Sequence, residues 1–262
     1  MELDLSGRNA LVCGSTQGIG KACAHELARN GAHIILLARN EEKLKEEIAE
    51  LNQINGQQND YLVADFNDWR EVQDVVKKFV SAKKTIHILV NNNGGPPSGP
   101  ITEARPEAFL EAFTQHLLCN HVLVQAVLEG MIKSGSGRII NIISTSVKQP
   151  LHGLGVSNTI RAAVANWSKT LSNEVGKYGI TVNNVLPGAT LTGRLSQIIS
   201  AKASRMNSEV SDIEEEMQLE IPLKRFAMPE EIANAVSFLA SPAAAYVNGI
   251  NLPVDGGRTG NL

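Results

Sequence analysis

Short apolar runs alternate along this chain with segments of helical periodicity. The runs fall near 9–13, 33–37, 60–64, 86–90, 138–143, 180–185 and 249–254. Each has strand length, and apolar residues at three-and-four spacing fill the stretches between them. Strands that alternate with helices in this way are joined in parallel through right-handed crossovers, with helices covering both faces of the sheet. The pattern predicts an α/β fold built on a single doubly wound sheet of seven parallel strands, with ligands at the carboxyl ends of the strands. Pro and Gly lie between periodic segments without forming a linker, and no internal repeat is visible. Residues 1–262 are therefore read as one domain, with a substrate lid at about 190–226.

Composition narrows the picture. The chain has 262 residues, 43% of them hydrophobic, enough to bury a large core. Its net charge of −3 is dispersed and leaves no basic stripe for nucleic acid, and Glu214, Glu215 and Glu216 read as a solvated helix face. Cys13, Cys23 and Cys119 are an odd set without metal-ligand spacing, so no metal is expected. The acidic start Met1-Glu2-Leu3-Asp4 lacks a secretory signal. No stretch approaches the roughly 20 apolar residues of a membrane helix. A cytoplasmic protein with free thiols is expected.

Candidate chemistry begins where the first apolar run breaks into Gly14-Ser15-Thr16-Gln17-Gly18-Ile19-Gly20 ahead of a helical pattern. Glycine lets a backbone approach a pyrophosphate closely, and a helix N-terminus offers free N–H groups and partial positive charge. The spacing departs from G-x-G-x-x-G, and alone the segment also reads as an ordinary tight turn. Further strand ends follow in order: Asn91-Asn92-Asn93-Gly94, then Pro187-Gly188 after Val182-Asn183-Asn184-Val185-Leu186, and finally Val254-Asp255-Gly256-Gly257. With these four motifs the chain resembles the short-chain dehydrogenase/reductase family over nearly its whole length, and within it the 3-oxoacyl-ACP-reductase-like members. The resemblance implies a Rossmann fold, a nicotinamide dinucleotide held by the glycine turn, and oxidoreductase activity on a carbonyl/alcohol pair.

The segment after the second strand, Leu37-Ala38-Arg39-Asn40, offers an arginine where an NAD-selective site would carry a carboxylate. Arg39 can grip a 2′-phosphate, which favours NADP(H) over NAD(H); the alternative is a solvated residue at a helix start. The resemblance also implies that Asp65 lies against the adenine, that Asn91 lies beside the adenosine with Asn93 and Gly94 following, and that Thr192, past Pro187 and Gly188, contacts the nicotinamide amide.

Ser144 matches the family serine that hydrogen-bonds the substrate oxygen. The family then expects tyrosine and, four residues later, lysine; this chain has Ser157 and Arg161. An aliphatic hydroxyl is a poor proton donor to a developing oxyanion, and arginine keeps its charge but relays no proton. Arg161 could hold the nicotinamide ribose, or bind an anionic substrate group if it faces the cleft. His116 stands where the family places an asparagine, with Asn120 one turn on as the other placement, and is expected to point into the cleft as the substitute acid; the alternative is a hydrogen-bonded packing histidine. His152 lies in a loop and reads as solvent-facing. Two functions remain: an NADP(H)-dependent oxidoreductase of atypical active site acting on a small carbonyl or alcohol, carboxylate- or phosphate-bearing in one reading; and an inactive dinucleotide-binding scaffold or sensor. The resemblance further implies a homotetramer, with the helices 106–133 and 155–177 packed on symmetry mates, or a homodimer.

Overall fold

The computed structural model describes residues 2–82 and 85–261, so Met1 of the acidic start lies outside the described residues. Seven strands, β1 (Asn9–Cys13), β2 (His33–Ala38), β3 (Asp60–Val63), β4 (Ile88–Asn91), β5 (Gly137–Ile142), β6 (Ile180–Pro187) and β7 (Asn251–Val254), form one sheet in the order β3-β2-β1-β4-β5-β6-β7. Every pairing is parallel, as the alternation of elements requires. The direction in which successive strands are added reverses between β1 and β4, which opens a crevice at their carboxyl ends. The predicted strands lie within two residues of those observed. The last begins at Asn251 because Gly249, at φ +72°, turns the chain just before it.

Alternation along the strands sets the two cores. Ala10 and Val12 of β1 face one side with Ile34 and Leu36 of β2, while Leu11 and Cys13 face the other with Ile35 and Leu37. The first side is covered by α1 (Gly18–Arg29) and α2 (Glu41–Asn55), and by α9 (Pro229–Ala240) near the chain's end. The second is covered by α3 (Trp69–Ser81) and, beyond the short α4 (Pro106–Phe113), by α5 (Cys119–Ser134) and α6 (Gly155–Val175). Two further helices, α7 (Gly193–Met206) and α8 (Val210–Leu219), build a small apolar cluster of their own from Leu195, Ile199, Ile213 and Phe226. Among the described residues no helix is long and apolar enough to cross a membrane. The stretch read as one helix over 106–133 contains a wide π turn at Thr114–Leu118, which places His116 on the protein's inside. Such turns insert one extra residue into the helical ladder and recur at functional sites.

A polar chain crosses the sheet at right angles to its strands. The Asn91 side-chain amide donates to Asn141 Oδ1 (2.8 Å), Asn141 Nδ2 donates to Asn184 Oδ1 (2.9 Å), and Asn184 Nδ2 donates to Asn251 Oδ1 (2.8 Å). The four residues are direct register partners on β4, β5, β6 and β7. Ser168 of α6 accepts a further bond from Asn141 Nδ2 at 3.2 Å, which ties the covering helix to the same node. Asn141 is fully buried, so its loss strands the amides on both sides without water. Asn141→Ala should lower the unfolding free energy by roughly 2–4 kcal/mol in urea titration, and Asn251→Ala, at the half-buried end, by about 1 kcal/mol. Equal losses at the two positions would show that the chain does not act as a connected unit.

Candidate active site

The glycine turn between β1 and α1 has the shape a phosphate group needs. Gly14 (φ +57°) and Gly18 (φ +55°) adopt left-handed backbone. A Cβ on Gly20 would lie 2.1 Å from the Gly14 carbonyl oxygen, so only glycine fits. The Gln17 side chain makes no capping bond, which leaves the first N–H groups of α1 facing outward. Asn92, the middle residue of the asparagine run, donates from Nδ2 to the carbonyls of Cys13 and Gly14 (both 3.2 Å) and locks the turn to the end of β4. That role was not read from the sequence, although the residue sits inside a motif already singled out.

One cavity of about 550 Å³ opens above these strand ends. Its wall brings together Gly14, Gln17, Gly18 and Ile19 with Asn93 and Gly94, with Ser144, Ser157 and Arg161, and with Pro187, Gly188 and Thr192. Thr192 caps α7, its Oγ1 accepting from Leu195 N–H, and its methyl group packs against Gly18. Ser15, Gly20, Arg39, Asp65 and Asn91 are not on the wall. Ser15 is fully buried behind the turn, and Asn91 is drawn into the asparagine chain. Asp65 accepts from Asn67, while Arg39 is exposed at the end of β2, on the outer side of β1. His152 is exposed in its turn, as expected.

The Ser144 hydroxyl accepts from Ser146 N–H at 3.1 Å, which leaves its own hydrogen for another acceptor. Four residues separate Ser157 and Arg161 on α6, so both reach the cavity from the same helix face. Arg161 is buried, donates from Nη1 to the Ile142 carbonyl (2.9 Å), and has its Nε buried without a partner. Burial first, and then the neighbouring charge of Arg194, lower its pKa to about 10, so it stays cationic at neutral pH. Arg194, two residues into α7, was not singled out in the sequence because it lay within the mixed composition of the lid segment. Its guanidinium packs on Gly95 and donates to the Pro96 carbonyl.

His116 does not point into the cleft. It lies behind the wall, 2% exposed, because the π turn rotates it inward beneath the loop carrying Gly94. Burial, and next the charge of Arg161, hold its pKa well below the ordinary 6.5, against a hydrogen bond with the Gly94 backbone that favours the protonated ring. Its Nε2 is buried without a partner. The imidazole is therefore neutral at pH 7. The three cysteines are buried and free, and burial raises the thiol pKa of both Cys23 and Cys119 to about 12, so neither offers a thiolate. His25, Glu47 and Glu50 could together approach a cation, but the Lys21 ammonium sits among them, 2.6 Å from Glu47 and 3.0 Å from Glu50.

Three comparisons bear on this arrangement. Residues 14–259 match the family described as enoyl-(acyl carrier protein) reductase. The 3-oxoacyl-[acyl-carrier-protein] reductase FabG of Pseudomonas aeruginosa is 35% identical over 258 residues, covering 97% of this chain and 98% of that protein. L-sorbose reductase from Gluconobacter frateurii, solved with NADPH and L-sorbose, superposes with a TM-score of 0.93 at 33% identity over 100% of both chains. A gluconate 5-dehydrogenase from Burkholderia cenocepacia, in complex with NADP and tartrate, superposes with a TM-score of 0.88 at 31% identity, over 100% of this chain and 98% of the other.

The buried imidazole has a measurable consequence for stability. Unfolding restores His116 to its ordinary pKa of 6.5, so the unfolded chain binds a proton that the native state resists. Stability is therefore lost as pH falls through the window from 6.5 down to the lower native value. His87, lowered chiefly by burial and then by the charge of Arg8, adds to the loss in the same direction. Each such group contributes at most about 1.4 kcal/mol per pH unit. Urea titration at successive pH values should show a shallower decline in His116→Asn than in the parent protein. An unchanged slope would place the ring in contact with water.

Proposed function

The chain belongs to the short-chain dehydrogenase/reductase family, and from that membership we propose that it is an NADP(H)-dependent oxidoreductase that interconverts a small carbonyl compound and its alcohol without the family's tyrosine–lysine pair. The observation that carries this reading is the single cavity in which the glycine turn, Ser144, Arg161 and Thr192 meet. The turn fits a dinucleotide pyrophosphate, since Gly14, Gly18 and Gly20 let it pack tightly against Asn92, Thr192 and its own backbone where a Cβ would crowd, and the N-terminus of α1 is open. Arg39, exposed at the end of β2, supports NADP(H) over NAD(H), as do the NADPH and NADP of the two solved relatives. Asp65, Asn93 and Gly94 would border the adenosine, with Asn91 held back in the asparagine chain, and Pro187, Gly188 and Thr192 the nicotinamide. When bound, the nicotinamide supplies or accepts the hydride.

The chain's own residues handle the oxygen and its proton. Ser144, its lone pair engaged by Ser146, donates its free hydrogen to the substrate oxygen. The Arg161 cation stabilises negative charge developing there, and in this role it needs no proton to give. Ser157 is a neutral donor beside it. The proton passes through water, with the neutral His116 behind the wall as its acceptor during alcohol oxidation, and the protonated ring, which burial makes scarce at neutral pH, as its source during reduction. Residues at about 190–226 close over the cavity as a lid, which the wall positions of Leu195, Ile198 and Met217 support. The assembled form is a homotetramer or homodimer, and the exposed Leu110, Phe113 and Tyr246 support apolar contact between copies.

A spectroscopic screen for NADPH consumption across small carbonyl compounds tests the reading. Ser144→Ala should lower turnover by roughly 10²–10³, and His116→Ala by about 10²–10⁴. Alcohol oxidation should weaken only as pH falls to the lowered native pKa of His116, well below 6.5, where the ring takes up a proton, and that limb should vanish in His116→Ala. Tight NADPH binding with no consumption for any compound would replace the enzyme by the scaffold reading, which the Ser157 and Arg161 substitutions favour.

A further inference from the structure

The cations on the cavity wall fall into two groups. Lys21, Arg29 and Arg258 each have a carboxylate partner, namely Glu47 with Glu50, Glu26 and Glu220. Among the described residues, Arg161 and Arg194 have none. Both line the same cavity, and Gly94 connects them: Arg194 packs on the next residue of that loop, while His116, beside Arg161, bonds to the Gly94 backbone. Buried cations are ordinarily paired, because desolvating an uncompensated charge costs several kcal/mol. Arg161 is buried and Arg194 half-buried, and the two facing one cavity make it electropositive on a wall that also carries Ser144.

The geometry of the two side chains narrows the anion. Each guanidinium gives one N–H group to a backbone carbonyl, Arg161 to Ile142 and Arg194 to Pro96. Those bonds fix the planes of the two forks, and the Nε of Arg161 is left with no protein acceptor. A fork edge with two parallel N–H groups matches the two oxygens of a planar carboxylate.

We propose that Arg161 and Arg194 form a carboxylate clamp beside Ser144, so that the substrate is a small oxo acid or the corresponding hydroxy acid and not a neutral ketone or alcohol. The word substrate rests on the oxidoreductase reading above; the clamp does not, since it is a binding site with its own readout. Arg161 is then shared between holding the anion and facing the reacting oxygen. Arg194 acts on the anion alone.

The test is calorimetric titration and thermal shift with malonate and its neutral counterpart malonamide at constant ionic strength, with and without NADP⁺. Malonate should bind roughly tenfold to a hundredfold more tightly than malonamide and raise the unfolding temperature. Arg194→Met should remove that preference while leaving NADPH affinity unchanged within about threefold; Arg194→Lys, which keeps the charge without the fork, should fall between them. Arg194→Met should also be no less stable than the parent protein without the probe, because an uncompensated cation is gone. Equal binding of malonate and malonamide, or malonate binding unchanged in Arg194→Met and Arg194→Lys, would overturn the clamp. Competition between malonate and NADP⁺ would assign the arginines to the cofactor's phosphates, and tighter binding of inorganic phosphate than of malonate would exclude a carboxylate site. Malonate discrimination without NADPH binding would sink the oxidoreductase reading and leave the clamp standing.

Discussion

The chain of asparagine amides across β4, β5, β6 and β7 is the constraint on which the site depends. These strand ends carry Asn92 to Gly94, Ser144 and the Pro187 to Thr192 turn, and a slip of one strand against the next would separate them. Apolar side chains resist such a slip through packing, but that packing is not directional. Directional bonds between Asn91, Asn141, Asn184 and Asn251 fix the register across the four strands, and the bond to Ser168 ties α6 to the same frame. Because α6 also carries Ser157 and Arg161, one buried network positions side chains from three separate parts of the chain.

Electrostatics then decide what the site can do. A tyrosine tuned by lysine would combine proton donation and charge stabilisation in a single pair; here the two functions are divided. Arg161 supplies charge but cannot relay a proton, and the same charge, with burial, keeps His116 neutral. The imidazole sits behind the cavity, so protons must reach it through water. Burial first, and the charge of this arginine second, thus keep neutral the histidine proposed to serve the oxygen site.

Much of the fold was legible in the sequence because each buried strand is a short, unbroken apolar run between helical patterns. The glycine turn was equally legible, since its three glycines are demanded by backbone shape that no side chain can replace. Register was not: Asn141 and Asn184 are ordinary strand residues until the sheet places them side by side. His116 was misplaced because a uniform helical period carries it into the cleft, whereas the π turn adds a residue and rotates it inward. Arg194 escaped notice for a related reason. Its importance lies in having no carboxylate partner among the described residues, a property of the folded surroundings and not of its neighbours in sequence.

The most direct test of dinucleotide binding at this site, without which no hydride can be transferred, is a fluorescence titration of the purified, cofactor-free protein with NADPH and, separately, NADH. The account predicts saturable NADPH binding, with NADH at least about tenfold weaker, since the charge-assisted contact from Arg39 to the 2′-phosphate is worth that much. Binding of neither nucleotide would mean that the glycine turn has kept its shape without its ligand, and would contradict the account at its base.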